Sequence, residues 1–346
     1  MRISLMGSCQ SCSGAVFSAR RTKQLPYAET CWDRHSGTEM HDYKSDQARI
    51  LAPALRRYRG RRTDPNRWGT WVPRQGDILV CTPPKCGTTW SQTILAMLIH
   101  GGPNLPEKLP FLSPWVDADL GVSADNVQVA LEAQSGRRVV KTHTPADGFP
   151  VWEGVTVIAV YRHPLDVFFS LRKHLTNIKD IDPDDPGLQT VTQSIRSFID
   201  GEVNLENFDQ DSLATVILHY QETVSSGRVP ELKLFHYADM LRDGHHAVKA
   251  LAHAAEIDAN TALIDRVAEA TAFDAMKANA AQYAPVGGTG FWKLDANFFD
   301  SGTSQKWEGK LSDHEVARYS ARLAALLPDN EARAWLENGD VPATTK

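Results

Sequence analysis

The chain has few cysteines and no long apolar run, and each shortage excludes a class of protein. Five Cys among 346 residues are too few for a small scaffold held together by disulfides. Cys9 and Cys12 form a C-x-x-C pair, but no second pair and no neighbouring His completes a zinc site. No run reaches the roughly 18 apolar residues of a transmembrane helix, so we expect no membrane-spanning segment. Cys81 lies in an apolar segment and Cys86 in the loop after it, which favours a reducing, cytoplasmic location.

The chain also lacks an excess of positive charge, because 37 Lys and Arg against 42 Asp and Glu give a net charge of −5. A protein with this balance lacks the basic surface of a nucleic-acid binder. The arginines are unevenly placed, since eight of them but only one acid, Asp64, lie between Arg49 and Arg74. Such a stretch is typical of a solvated face, and an anion-binding or membrane-surface patch is the alternative.

Residues 1–45 differ in composition from the rest of the chain. They are rich in Ser, Thr and Cys and contain basic residues but no acid before Glu29. A transit peptide has this composition, whereas a secretory signal would need a longer apolar stretch. A disordered tail, or a start codon assigned upstream of Met40, explains it better. We therefore predict an atypical N-terminal extension over 1–45 and one domain over 46–346.

Short apolar runs alternate with helical periodicity along the remaining chain. Continuous apolar character predicts buried strands at 78–81, 138–141, 155–161 and 232–236. Apolar residues three and four apart predict helices at 88–100, 165–175, 190–207, 211–226, 239–254, 259–270, 272–280 and 312–326. Residues 284–311 are rich in Gly and aromatics, and we expect a long functional loop there. The alternation predicts an α/β fold with a mostly parallel central sheet flanked by helices.

The loop between the first predicted strand and its helix has the chemistry of a phosphate site. Lys85 supplies a point charge, Gly87 lets the backbone bend toward a ligand, and Thr88 and Thr89 add hydroxyl donors. A helix that begins here offers unpaired N–H groups and a positive dipole end to an anion. A helix-capping turn without a ligand is the alternative.

This loop departs from the common G-x-x-x-x-G-K-[ST] sequence of nucleotide hydrolases. Lys85 precedes the glycine, and no glycine opens the loop. The third predicted strand ends in Tyr161-Arg162, where a hydrolase would carry a magnesium-binding Asp. A P-loop kinase or nucleotide hydrolase is therefore the disfavoured alternative.

Two further groups of polar residues follow predicted strands. Arg162 and Ser170 are eight residues apart, so two helical turns bring the hydroxyl back toward the strand end as a second phosphate site. Lys141 and His143 close another strand, where α/β sheets place their ligands. A histidine there can act as a general base at neutral pH, although a lone histidine is more often structural.

Taken together, these segments resemble the cytosolic-type sulfotransferases, which use 3′-phosphoadenosine-5′-phosphosulfate (PAPS), and a bacterial-like member among them. Lys85–Trp90 is similar to their P-K-S-G-T-T-W loop, and 140–145 is similar to their K-T-H-L-P segment. Similar motifs occur, in the order of the family, at 160–170, 234–240, 271–279 and 298–307. Six motifs in order cover about residues 68–327, which makes chance similarity implausible.

The resemblance implies a single domain with P-loop-kinase-like topology, PAPS as co-substrate with PAP as product, and no metal. It implies that His143 is the general base, with Lys85 and Lys141 assisting at the leaving oxygen. The donor-binding residues that it implies are Lys85, Cys86, Gly87, Thr88, Thr89, Trp90, Arg162, Ser170, Tyr237, Thr271, Phe273 and Gly302. A departure from the family pattern adds Lys306 to this set. The acceptor would be a small lipophilic molecule with a hydroxyl or amine group, held by aromatic walls. No nucleic-acid partner or integral membrane association is expected, and a homodimer stays open.

One motif departs from the family at the predicted 3′-phosphate site. Asp300 and Ser301 stand where relatives carry Arg and Lys, and Lys306 stands where they carry Asp. The favoured hypothesis is that Lys306 supplies the charge of the missing Arg–Lys pair, because the positive charge is moved along the chain rather than deleted. A basic residue from 49–74 and a weaker donor grip are the alternatives, and a sulfotransferase-like binding protein with little activity is the corresponding alternative function.

Overall fold

The computed structural model describes residues 47–340. The predictions for Cys9, Cys12 and the extension 1–45 lie outside the described residues. In the described part, six strands and thirteen α-helices alternate in the order expected of an α/β fold.

The central sheet has four parallel strands. They are β2 (Ile78–Cys81), β3 (Val139–Thr142), β5 (Thr156–Tyr161) and β6 (Lys233–His236), in the spatial order β3-β2-β5-β6. β1 (Ile50–Ala52) and β4 (Val151–Trp152) form a separate antiparallel pair that the sequence pattern did not predict. A parallel sheet covered on both faces explains why its strands read as continuous apolar runs.

Helices cover both faces of this sheet. They are α1 (Thr88–Ile99), α2 (Leu109–Leu112), α3 (Ala124–Glu132), α4 (Pro164–Asn177), α5 (Val191–Asp200), α6 (Leu213–Tyr220), α7 (Tyr237–Arg242), α8 (Gly244–Ala254), α9 (Thr261–Ala270), α10 (Phe273–Ala278), α11 (Ala280–Tyr283), α12 (Asp313–Leu326) and α13 (Asn330–Asn338). Ile158 and Val160 of β5 pack with α1, α8 and α9, whereas Ala159 and Tyr161 pack with α4, α5, α6 and α12. The period-two alternation thus divides the apolar core between the two faces.

Several helix boundaries differ from the prediction because short polar residues end or restart helices. The helix predicted for 190–207 ends at Asp200, since Gly201 has an extended backbone. The one predicted for 239–254 is two helices, because Asp243 caps α8 by accepting a hydrogen bond from the His246 amide. The predicted 272–280 helix breaks at Asn279 into α10 and α11. The last helix, α13, was not predicted.

The register of the sheet places the carboxyl ends of its strands in one line. Cys81 pairs with Thr142, and Tyr161 pairs with His236. The next residues of the chain therefore emerge together at one edge: Thr82, His143, Arg162 and Tyr237. This edge is where parallel α/β sheets bind ligands.

Within residues 47–340, no helix is both long and apolar enough to cross a membrane.

Candidate active site

The loop after β2 is shaped by two residues with a left-handed backbone. Lys85 has φ 66° and Gly87 has φ 101°. A Cβ at position 87 would lie 2.9 Å from the Tyr237 ring, so only glycine fits there. Thr82 and Thr88 share a hydrogen bond of 2.6 Å between their hydroxyls. No side chain caps the first turn of α1, which leaves its amides free for an anion.

The side chain of Cys86 does not face this loop. It is fully buried in the core with α4 and α5, and burial raises the pKa of its thiol to about 12. Only the Cys86 backbone can therefore contribute to the predicted donor site. Thr89 lines a cavity beside the loop, and its predicted contact with the donor stays a prediction.

Arg162 is the buried cation at the centre of the predicted 3′-phosphate site. Its guanidinium lies 4.3 Å from the centroid of the Tyr237 ring and donates to the carbonyls of Lys85 and Thr303 at 3.3 and 2.6 Å. Its Nε is buried and has no hydrogen-bond partner among residues 47–340. Asp166 Oδ2 lies 3.8 Å from this Nε, within ion-pair distance but too far for a hydrogen bond. Buried donors rarely lack a hydrogen bond, so this atom can still bond to an anion.

Helix α4 aligns the rest of that site. Arg162, Asp166 and Ser170 follow at intervals of four residues, which puts them on adjoining turns. Asp166 accepts hydrogen bonds from the amides of Gln305 and Lys306 at 2.8 and 2.6 Å. Ser170 is 7% exposed. The helix thereby holds the 303–306 loop against Arg162.

The region of the missing Arg–Lys pair contains an ion pair of its own. Lys306 Nζ lies 2.7 Å from Asp300 Oδ2, and the Lys306 side chain is 7% exposed. Burial lowers the pKa of Lys306, and the nearby Arg162 charge lowers it further, while the hydrogen bond to Asp300 raises it. The structure thus brings Lys306 and Arg162 together, with Asp300 beside them.

The predicted nucleotide wall is assembled around Tyr237. Trp90 meets its ring edge-to-face at 5.9 Å. The Phe273 ring packs against Gly302, where φ is 59° and a Cβ would approach the ring to 2.4 Å. Thr271 is different, because its hydroxyl is buried and donates to the Val267 carbonyl of α9. The Thr271 side chain therefore caps α9 in this structure, and its predicted contact with the nucleotide stays a prediction.

His143 has the geometry of a general base at the end of β3. Its Nδ1 lies 2.7 Å from the Thr82 carbonyl oxygen, so Nδ1 donates and Nε2 is left to accept a proton. Trp115 packs on the ring edge-to-face at 4.6 Å. Burial and the charge of Lys141 hold the pKa of His143 well below its usual value. The imidazole is consequently neutral at pH 7.

The pKa values of the two candidate lysines, Lys85 and Lys141, are lowered. Burial, followed by the charges of Arg162, Lys306 and Lys141, lowers the pKa of Lys85 to about 7. Burial lowers the pKa of Lys141 to about 8, and its Nζ lies 5.1 Å from the centroid of the Trp115 ring. Lys85 Nζ lies 3.1 Å from His174 Nδ1. The sequence reasoning missed His174, although it comes four residues after Ser170 on α4.

The family profile of the sulfotransferase domain matches residues 75–327, which span this whole edge of the sheet. The chain belongs to the sulfotransferase family. The sulfotransferase is 30% identical over 309 residues to a glycolipid sulfotransferase of Mycobacterium bovis, covering 82% of this chain and 94% of that one. It is 26% identical over 267 residues to sulfotransferase 1A1 of Rattus norvegicus, covering 73% and 85%.

Solved structures with the same fold as this chain support the assignment. Mouse sulfotransferase SULT7A1 complexed with PAP superposes with a TM-score of 0.59 at 19% identity, covering 79% of this chain and 92% of that one. Retinol dehydratase in complex with retinol and PAP gives 0.62 at 16% identity, covering 76% and 84%. The predicted family, fold class and enzyme class are confirmed, and the kinase or hydrolase alternative is excluded.

An apolar cavity borders Trp115, which packs on His143, and Lys141. It has a volume of about 60 Å³, room for only a few solvent-sized groups. Its lining includes Thr89, Leu109, Phe111, Trp115, Lys141 and Tyr283. Phe149 and Trp152 lie outside this cavity and pack with Trp68 in the apolar core that contains Val140 of β3.

The arginine-rich stretch of the sulfotransferase is mostly paired. Arg49 contacts Glu153 at 2.9 Å, and Arg56 contacts Glu222 at 3.1 Å. Arg67 and Arg74 are buried and donate to backbone carbonyls. These contacts support the solvated-face interpretation over an anion patch. Across residues 47–340, no group of three or more metal-ligating side chains occurs.

Proposed function

We propose that this sulfotransferase moves a sulfuryl group from PAPS to a hydroxyl or amine of a small lipophilic acceptor. The observation that carries the proposal is the convergence of Lys85, His143 and Arg162 at one edge of the sheet, next to an apolar cavity. The glycolipid sulfotransferase relatives and the PAP in the neighbouring structures support the acceptor class and the donor.

The residues present suit the donor. The uncapped start of α1 and Lys85 would hold its 5′-phosphosulfate, and Arg162 Nε, which lacks a hydrogen-bond partner among the described residues, would bond its 3′-phosphate. Tyr237, whose ring lies against Gly87, and Trp90, which meets that ring edge-to-face, would contact the adenine. The assignments of Ser170, Phe273 and Gly302 rest on the resemblance to the family, and the Phe273 ring packs against Gly302.

The chemistry follows from the charges. His143 Nε2 takes the proton of the acceptor while the acceptor oxygen bonds to sulfur and the bond from sulfur to the bridging oxygen breaks. Transfer of this kind passes through a loose, in-line transition state in which charge collects on the leaving oxygen. Lys85, in its charged form, stabilises that oxygen, and Lys141 adds positive charge at the acceptor side. General-base catalysis contributes roughly 10²–10⁴-fold.

The test is transfer of label from ³⁵S-PAPS to a panel containing octyl β-glucoside, a phenol and a sterol. Product with at least one acceptor, lost in a His143→Gln variant, is the expected result. Tight PAP binding without any labelled product would instead favour the alternative of a sulfotransferase-like binding protein.

A further inference from the structure

His174 of α4 makes the closest contact of the Lys85 side chain in the described structure. Its Nδ1 lies 3.1 Å from Lys85 Nζ. Trp292 and Phe298 hold the imidazole edge-to-face at 4.8 and 5.8 Å. Phe298 also faces Lys85 Nζ, 4.5 Å from its ring centroid. Two aromatic rings therefore flank the imidazole, and one of its nitrogens contacts the ammonium group.

The hydrogen bond has one possible direction while Lys85 is charged. An ammonium group has donors only, so His174 Nδ1 accepts and the ring proton is on Nε2. Burial and the charges of Lys85 and Arg62 hold the pKa of His174 well below its usual value. His174 consequently stays neutral at pH 7 and remains an acceptor.

The remaining charges near Lys85 mostly oppose its protonation. Arg162, Lys306 and Lys141 are like charges, and Asp300 offsets them. Asp211 is a second acid in range, since burial raises the pKa of its carboxyl and the Lys85 charge lowers it. A hydrogen-bond acceptor at contact distance favours the charged form of a group. His174 and the Phe298 ring face contact the ammonium directly and favour that form.

We propose that His174 is a positioning residue, which holds the Lys85 ammonium charged and aimed at the leaving oxygen. The inference rests on the proposed function, because it assigns His174 to the lysine of that reaction. A flexible lysine has several rotamers of similar energy, so a fixed acceptor on α4 selects one of them before the donor binds.

Two substitutions separate this role from packing. His174→Phe keeps a ring between Trp292 and Phe298 but removes Nδ1, whereas His174→Asn keeps an acceptor and removes the ring. We expect kcat/KM with ³⁵S-PAPS and octyl β-glucoside to fall about 10–100-fold in the Phe variant, as for loss of a hydrogen bond to a charged group, and less in the Asn variant. A purely structural role predicts the reverse order, and that order would overturn the proposal.

The pH dependence gives a second readout. Without its acceptor, Lys85 should lose its proton at lower pH, so the alkaline limb of the rate should move down by about one pH unit in His174→Phe and less in His174→Asn. Trace acetylation with acetic anhydride, followed by mass spectrometry of the Lys85 peptide, measures the same shift without turnover. An unchanged titration of Lys85 in His174→Phe contradicts the proposal.

Measurements in a Lys85→Met variant distinguish failure of the proposed function from failure of the role proposed for His174. There His174→Phe should cause no further loss of rate, because the partner is gone. If Lys85→Met is impaired while His174→Phe has the wild-type rate and pH profile, the proposed function stands and the role of His174 is wrong. If the wild type transfers no label, the proposed function fails, and acetylation still tests the contact. His174→Leu replaces the Phe variant if its thermal unfolding shows misfolding.

Discussion

The ion pair between Lys306 and Asp300 makes the most specific prediction about donor binding. Lys306 is nearly buried beside Arg162, and its only ion-pair partner in the described structure is Asp300 at 2.7 Å. If Lys306 replaces the missing basic pair, then Lys306→Met should weaken binding of PAP, and Asp300→Asn should strengthen it. Changes of opposite sign in PAP affinity at these two paired residues are expected only if both charges face the 3′-phosphate.

The sizes of the two changes in PAP affinity follow from the burial of the Lys306–Asp300 pair. A hydrogen bond to a charged group is worth about 1.5–3 kcal/mol, so Lys306→Met should raise the Kd of PAP roughly 10- to 150-fold. Removing the Asp300 charge relieves repulsion of the phosphate. At a separation of about 6 Å and an effective dielectric constant near 20 the repulsion is about 3 kcal/mol, less after screening. We expect Asp300→Asn to lower the Kd about five- to thirtyfold.

Calorimetric titration with PAP and with adenosine 5′-phosphate measures both effects. The second nucleotide lacks the 3′-phosphate, so its affinity should change little in either variant. Thermal unfolding of each variant controls for loss of the ion pair itself. Equal changes for the two nucleotides, or weaker PAP binding in Asp300→Asn, would refute the assignment of Lys306 to the 3′-phosphate.

Three further predictions concern the reaction. His143→Gln should lower kcat about 10²–10⁴-fold and leave the Kd of PAP unchanged in calorimetry; near-normal turnover would remove His143 from the mechanism. Because the pKa of Lys85 is lowered to about 7, its charged form is present below that pH, and kcat/KM should fall as the pH rises through 7. Lys85→Arg should be slower but lack this alkaline limb, since guanidinium stays charged; a limb that persists belongs to another group. Dialysis against EDTA should leave the rate unchanged, and restoration by magnesium of a lost activity would contradict a metal-free reaction.

Four of the six motifs were recognisable from local sequence because each one is a strand end with the turn or helix that follows it. Gly87 illustrates the point: a strand, a glycine and two threonines predict a helix start that binds an anion, and the structure has that geometry. Lys85, His143 and Arg162 likewise follow strands, and parallel pairing alone brings such residues to one edge. Helix boundaries were less predictable, since Asp243 and Asn279 break helices through hydrogen bonds and turns that hydrophobic spacing does not register.

The sequence by itself determined the fold class, the family and the edge of the sheet where the candidate site lies, because strand order and motif order are properties of the chain. Tertiary structure decided which side chains face that site. Cys86 and Thr271 belong to matched motifs, yet the Cys86 side chain is buried in the apolar core and the Thr271 hydroxyl bonds to a carbonyl of α9. His174 belongs to no predicted site, yet it contacts Lys85 across 89 residues of chain. Contacts of that kind depend on how helices pack over the sheet, and local spacing along the sequence carries no record of them.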